Sequence, residues 1–185
     1  MIRKIYNILC LIRALPILPG VDWKDPRFQK DLARWQDLLK LTGKPAKVLA
    51  LLMASHPEFR NLFVYRNRRR IFYRNWVKLF YRPMNTLFIE AKEIGGGLYI
   101  QHGFSTMIAA EAIGENCWIN QQVTIGYKDH GRPPIIGNDV MITCGAKVLG
   151  SITVGDGAII GANAVVIKDV EPHAVMGGIP AKSLK

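Results

Sequence analysis

The chain is short of cysteine, of histidine, of long apolar runs and, in its first half, of acidic residues, and each shortage excludes something. Cys10, Cys117 and Cys144 are the only cysteines among 185 residues. An odd number with no C-x-x-C step supports neither a disulfide framework nor a cysteine zinc site, and fits a reducing cytoplasm. The four histidines, His56, His102, His130 and His173, lie too far apart for a three-histidine metal centre, so no metal is expected. One stretch, residues 2–18, has the look of a targeting signal. Arg13 and Pro16 interrupt it, its apolar run is too short to span a bilayer, and the small-residue cleavage site is missing. With 49% hydrophobic and 21% charged residues, the composition is that of an ordinary globular protein, which excludes a disordered tail, a collagen-like fibre and a charge-dominated linker.

The net charge of +11 is unevenly placed. Residues 1–90 hold 18 Lys and Arg against 6 Asp and Glu, residues 91–185 hold 7 against 8, and 14 of 17 aromatics precede residue 101. Composition therefore separates an α-helical region, residues 1–85, from a second architecture over 86–185. In the first, Asp25-Pro26 reads as an N-cap and first turn, with Phe28, Leu32, Trp35 and Leu39 on one face and Gly43 as the stop. A shorter helix follows Pro45. Ser55-x-x-Glu58 has capping-box spacing ahead of one helix that should run to Pro83.

That last helix carries Arg66, Arg68, Arg69, Arg70 and Arg74 among Tyr65, Phe72 and Tyr73. The run reads as a solvated helix face, as a contact with an anionic membrane surface, or as a nucleic-acid contact. Membrane ranks above nucleic acid, because Ile2, Ile5, Ile8, Leu9 and Ile12 form an apolar stripe beside Arg3 and Lys4. The stripe equally suits a core or an oligomer contact, and no nucleic-acid partner is expected.

The second region repeats. Ile113, Ile119 and Ile125 are six apart, and Ile136, Ile142, Val148, Val154, Ile160 and Val166 are six apart again. Glycine often follows (Gly114, Gly126, Gly137, Gly155, Gly161), and the fourth position after is small or β-branched, as at Cys117, Val123, Val140, Ala146, Ile152, Ala158, Ala164 and Val170. A six-residue step is one short strand plus a tight corner, with the Ile or Val pointing inward, and three steps make a triangular coil. Phe88, Ile94 and Ile100 extend the pattern upstream through a one-residue slip near Thr106 and Met107. The stretch then holds four to five coils, interrupted by one projecting loop, Tyr127 to Pro134.

The hexad, the loop and the ending Gly177-Gly178-Ile179-Pro180-Ala181-Lys182 together resemble the hexapeptide-repeat acetyltransferases. The nearer likeness is to the serine acetyltransferase-like branch, which includes polysaccharide O-acetyltransferases. The resemblance implies a left-handed parallel β-helix, chains assembled as a homotrimer or as a hexamer of two trimers, and acetyl-CoA as co-substrate in the groove between neighbours. It implies His102, in Ile100-Gln101-His102-Gly103, as general base, the chemistry that acetyl transfer to a hydroxyl needs. His130, on the projecting loop, is a second catalytic candidate. The coenzyme positions carried over are Cys144, Gly145, Ala162, Ile167, Lys168 and Lys182, with Lys185 beside them. His56 and His173 read as structural.

The chain also departs from serine acetyltransferase. Gln101 stands where that enzyme has an aspartate, Arg132 where its loop has a histidine, and Leu87 where it has an upstream acid, Glu90 being the nearest acid. Gln101 and Arg132 are therefore taken as substrate-binding residues. The leading expectation is an O-acetyltransferase acting on a sugar hydroxyl in capsule, exopolysaccharide or lipopolysaccharide biosynthesis, its acceptor a small molecule or a lipid-linked glycan. The alternative is serine O-acetyltransferase of cysteine biosynthesis. Location is expected to be cytoplasmic, with a peripheral contact at the inner face of the membrane among the readings.

Overall fold

The structure, a computed structural model, describes residues 2–184. The chain divides into two compact units, Met1–Met84 and Asn85–Lys185.

Among its described residues the first unit has five helices, α1 (Ile2–Ala14), α2 (Pro26–Leu38), α3 (Pro45–Ser55), α4 (Pro57–Arg66) and α5 (Ile71–Phe80), with a 3-10 turn at Leu18–Gly20. Proline opens α2, α3 and α4, where its missing N–H costs nothing and its φ is already helical. Asp25 caps α2 by accepting the Arg27 N–H at 2.9 Å. The core gathers Trp35, Leu49, Leu52, Phe59, Leu62 and Phe63, with Trp35 edge-on to Phe59 at 5.2 Å. Cys10 and Ala14 of α1 pack against Ala50 of α3.

Three local expectations are corrected here. Helix α2 ends at Leu38, short of Gly43, because Lys40 turns the chain with φ 51°. The capping box is not made: Ser55 still belongs to α3, and His56 precedes α4 without a side-chain cap bond. The single helix expected up to Pro83 breaks between Arg66 and Ile71. Buried Asn67 donates its side-chain amide to the Phe63 carbonyl at 2.9 Å, and the Arg70 N–H donates to the Asn67 carbonyl at 2.9 Å, closing a turn rather than continuing the helix.

The second unit is a parallel β-solenoid of about five turns with three faces. The first face holds β1 (Leu87–Ile89), β4 (Thr106–Ile108), β7 (Thr124–Gly126), β10 (Lys147–Leu149) and β13 (Val165–Val166). The second holds β2 (Glu93–Ile94), β5 (Ala112–Ile113), β8 (Ile135–Ile136) and β11 (Thr153–Val154). The third holds β3 (Tyr99–Ile100), β6 (Trp118–Ile119), β9 (Met141–Ile142), β12 (Ile159–Ile160) and β14 (Val175–Gly177), closed by antiparallel β15 (Lys182–Ser183). All nine hexad residues from Ile113 to Val166 are buried, and so is the small-residue series from Cys117 to Val170. Flat strands two or three residues long suffice because each bonds to the coils above and below rather than to a sheet neighbour in sequence.

The upstream frame differs from the sequence reading. Ile89, not Phe88, is in register with inward-facing Ile108, and Phe88 is 49% exposed, because the step from Ile89 to Ile94 is five residues rather than six. The apparent one-residue slip is two compensating changes. Tyr99-Ile100 pairs with Trp118-Ile119 and Met107 pairs with Thr124, so seven residues separate Ile100 from Met107 where five separate Ile119 from Thr124. The corner after β3 is thus enlarged by two residues, and the step from inward-facing Ile108 to Ile113 takes back one.

Candidate functional site

The enlarged corner is where His102 sits. His102 has φ 66° and Gly103 φ 47°, and the Gln101 N–H donates to the Ile119 carbonyl at 2.9 Å, anchoring the corner to the next coil. The extra residues push the chain outward and leave the His102 and Phe104 side chains exposed. A left-handed histidine is uncommon and confined to tight turns, so this corner presents the imidazole at the edge of the solenoid.

The same edge carries more of the expected site. The Asn120 N–H donates to Ile142 O at 3.0 Å, Thr143 to Ile160 O at 3.0 Å and Gly161 to Met176 O at 2.8 Å, so the corners that follow β3, β6, β9, β12 and β14 stack in register. His102, Gln121, Cys144 with Gly145, Ala162 and Gly178 follow one another up that edge. At about 4.8 Å per coil, His102 and Ala162 are roughly 14 Å apart along it. Its upper part is lined by small side chains, and Gly145 has φ 74° against the Asn163 side chain, so a Cβ there has no room. Cys144 is a half-buried free thiol. Lys182, exposed on β15, pairs with Gly177 at the top of this edge.

Other expected residues stand elsewhere within the chain. Ile167 and Lys168 are exposed at the corner after β13, and His130 and Arg132 are exposed on the loop after β7. These belong to the edge between the first and second faces, one corner away from His102. Glu90, after β1, lies on that other edge too, and Leu87 is buried in β1, so among the described residues of the solenoid no acid stands at the His102 corner. The loop is tied down rather than free: Ser151 Oγ accepts the Arg132 N–H at 2.8 Å and donates to the Arg132 carbonyl at 3.0 Å. Lys185 lies outside the described residues. His173, with φ 61°, occupies a corner and donates its N–H to Asp156 O at 2.8 Å, while His56 lies edge-on to Trp35.

Three polar side chains that the sequence reading did not single out stand at or beside this edge. Trp118 Nε1 donates to Gln101 Oε1 at 3.2 Å and stacks edge-on with Tyr99 at 4.9 Å, holding the side chain next to His102. Asn120 Oδ1 and Gln121 Oε1, one coil beyond the His102 corner, are buried without a hydrogen-bond partner. Unpaired buried acceptors are costly, and a site is where such groups are kept. The signal available was the polar run Asn120-Gln121-Gln122, which breaks an otherwise small-residue corner series. Among the described residues there is no group of three or more histidine, cysteine, aspartate or glutamate side chains able to hold a metal ion.

Comparison with known proteins agrees with this fold. Residues 133–168 match the family described as bacterial transferase hexapeptide (six repeats). The chain is 48% identical over 96 residues to the serine acetyltransferase of Bacillus pumilus, covering 50% of this chain and 44% of that protein. It is 45% identical over 93 residues to the Bacillus subtilis serine acetyltransferase, covering 48% and 43%. The chain thus spans less than half the length of the curated relatives it matches. The crystal structure of Neisseria gonorrhoeae serine acetyltransferase in complex with serine superposes with a TM-score of 0.63 at 27% identity, over 85% of this chain and 67% of that one. A serine acetyltransferase complex with CoA gives 0.61 at 26% identity, over 84% and 67%.

These relatives overturn the sugar-acceptor expectation, and with it polysaccharide biosynthesis and the lipid-linked glycan. The polysaccharide branch rested on Gln101, on Arg132 and on a basic helix. Gln101 accepts from Trp118, and Arg66 of the basic run is paired with Asp31. The chain carries the solenoid of the hexapeptide-repeat transferases and is homologous over about half its length to serine acetyltransferases.

Proposed function

We propose that this chain is a serine O-acetyltransferase, transferring acetyl from acetyl-CoA to the side-chain hydroxyl of L-serine. The observation that carries the reading is 42–48% identity to serine acetyltransferases across about half the chain. His102 is the general base: its imidazole takes the hydroxyl proton as the oxygen attacks the thioester carbonyl, and returns it to the departing thiolate. The exposed corner gives an acceptor direct access to the ring. The edge running through Cys144, Gly145 and Ala162 receives the pantetheine arm, because small side chains let an extended ligand lie against the backbone. Lys182 answers phosphate charge at its upper end. Cys144 packs and takes no covalent part, since transfer to oxygen needs no enzyme nucleophile.

Side-by-side packing of three copies as a homotrimer completes the site. It sets the His102 edge of one copy against the neighbouring edge of the next, the one that bears His130, Arg132, Ile167 and Lys168. This accounts for catalytic and coenzyme residues that lie on two different edges of one chain. The test is release of free thiol from acetyl-CoA with L-serine present. The wild-type chain should turn over, and His102→Ala should lose roughly 10²- to 10⁴-fold in rate while still binding CoA. Undiminished turnover in that variant would remove His102 from the mechanism.

A further inference from the structure

We infer that the helical unit carries a docking face for anionic phospholipid, formed by the outer sides of α1 and α5. Helix α1 is apolar on two sides. Cys10 and Ala14, with Leu11, pack towards α3, whereas Ile5, Ile8, Leu9, Ile12 and Leu15 face outward and are exposed. Helix α5 repeats the arrangement. Val77 is buried and the Tyr73 hydroxyl donates to the Ile17 carbonyl at 2.7 Å, while Phe72 (94% exposed) and Leu79 (73% exposed) turn away from that contact and Trp76 is partly exposed between them. The two helices are tied end to end. Arg13 Nη2 donates to Phe80 O at 2.9 Å and Trp76 Nε1 to Pro16 O at 2.8 Å, which joins the C-terminal ends of the two helices.

Charge selects the occupant. Residues 1–21 and 59–89, which contain both helices, hold eleven Lys and Arg and no Asp or Glu. Arg66 is spent on Asp31 and Arg68 lies over the Tyr65 ring at 4.2 Å, which takes those two out of the basic run. Arg13 is likewise engaged, with Phe80 O and the Tyr81 ring, and Lys4, Arg69, Lys78 and Arg82 remain at the surface. An amphipathic helix with aromatic and aliphatic residues on one side and Lys or Arg beside them matches a bilayer interface, where tails accept the stripe and headgroups the cations. A second copy of the same face would set cations against cations with no acid to answer them, which disfavours a symmetric self-contact. Nucleic acid would use the cations and leave the stripe in water. With 13 residues, α1 is about 20 Å long. No helix among the described residues is long and apolar enough to cross a membrane, so the contact lies in the plane of the interface.

The test is flotation of the full chain with vesicles of phosphatidylcholine alone and of phosphatidylcholine mixed with phosphatidylglycerol. Binding should need the anionic lipid and should drop about tenfold or more at about 1 M salt, where the screening length is about 3 Å. Ile12→Glu and Phe72→Glu, both at exposed positions, should each abolish flotation without moving the thermal midpoint, and Lys78→Glu should weaken it. Absence of flotation with the anionic vesicles overturns the proposal, as does flotation unchanged in both glutamate variants. A lipid-free assembly of the wild-type chain that these variants dissociate, with no flotation, would instead assign the face to contact between copies. None of these readouts depends on acetyl transfer.

Discussion

Arg66 reads in the sequence as one of five arginines on a helix face, yet its Nε and Nη2 donate to the two carboxylate oxygens of Asp31 at 2.7 and 3.0 Å, and the side chains are 4% and 1% exposed. Removing one partner strands the other charge away from water. Asp31→Ala should therefore cost on the order of 3–5 kcal/mol in urea unfolding, and the double replacement Asp31→Leu with Arg66→Met far less. Equal losses in both would show that the pair is not the source of the cost. A pairing 35 residues apart leaves no periodic mark, so sequence could not separate Arg66 from its exposed neighbours. His102 stands out in the sequence because its motif is local. His56 was legible only as structural, and the fold adds a consequence. Burial holds its imidazole below the ordinary pKa of 6.5, with Glu58 pulling the other way and Arg60 adding to the depression. The unfolded chain thus binds that proton more readily than the folded one. The resulting stability is complete above about pH 6.5 and is lost as pH falls from there through the folded value. The thermal midpoint should drop over that window, and His56→Gln should flatten the drop; an unchanged pH profile would contradict it.

At the scale of elements, the hexad determined both the inward columns and the coil, because a strand of two or three residues can bury only one Ile or Val and the next corner must come six residues later. What the period could not reveal was which glycines matter. A Cβ on Gly114 would stand 2.6 Å from the Gly137 carbonyl, and one on Gly95 would stand 2.8 Å from the Gly114 carbonyl, so close approach between coils, not backbone angle, requires glycine at that corner. Gly126 follows an inward isoleucine just as Gly114 does, but a Cβ there would meet nothing within 4 Å. Gly114→Ala should destabilise the solenoid by about 1–3 kcal/mol, and Gly126→Ala should stay within about 0.5 kcal/mol. Thermal midpoints of the two variants decide this, and equal shifts would refute the distinction. The enlarged corner at His102 was visible only as a slip in the count. Its meaning needed the strand pairing, since an insertion of two and a deletion of one look like a single displaced residue.

For the molecule as a whole, the two units follow the split in composition: the basic, aromatic half is helical, and the slightly acidic half is the solenoid that bears His102. The solenoid was readable because its period repeats many times. The acceptor was not, because it rests on a few side chains whose partners lie on another coil, far away in sequence. Gln101 looked like a lost acid and is in fact a glutamine held by Trp118. The central claim is acetyl transfer to serine, and the most direct measurement is identification of the product by mass spectrometry after incubating the purified chain with acetyl-CoA and L-serine. The account predicts O-acetyl-L-serine in equal amount to the free CoA released, with its rate of formation lowered at least about a hundredfold in the His102→Ala variant. Binding of acetyl-CoA without any acetylated serine would contradict it.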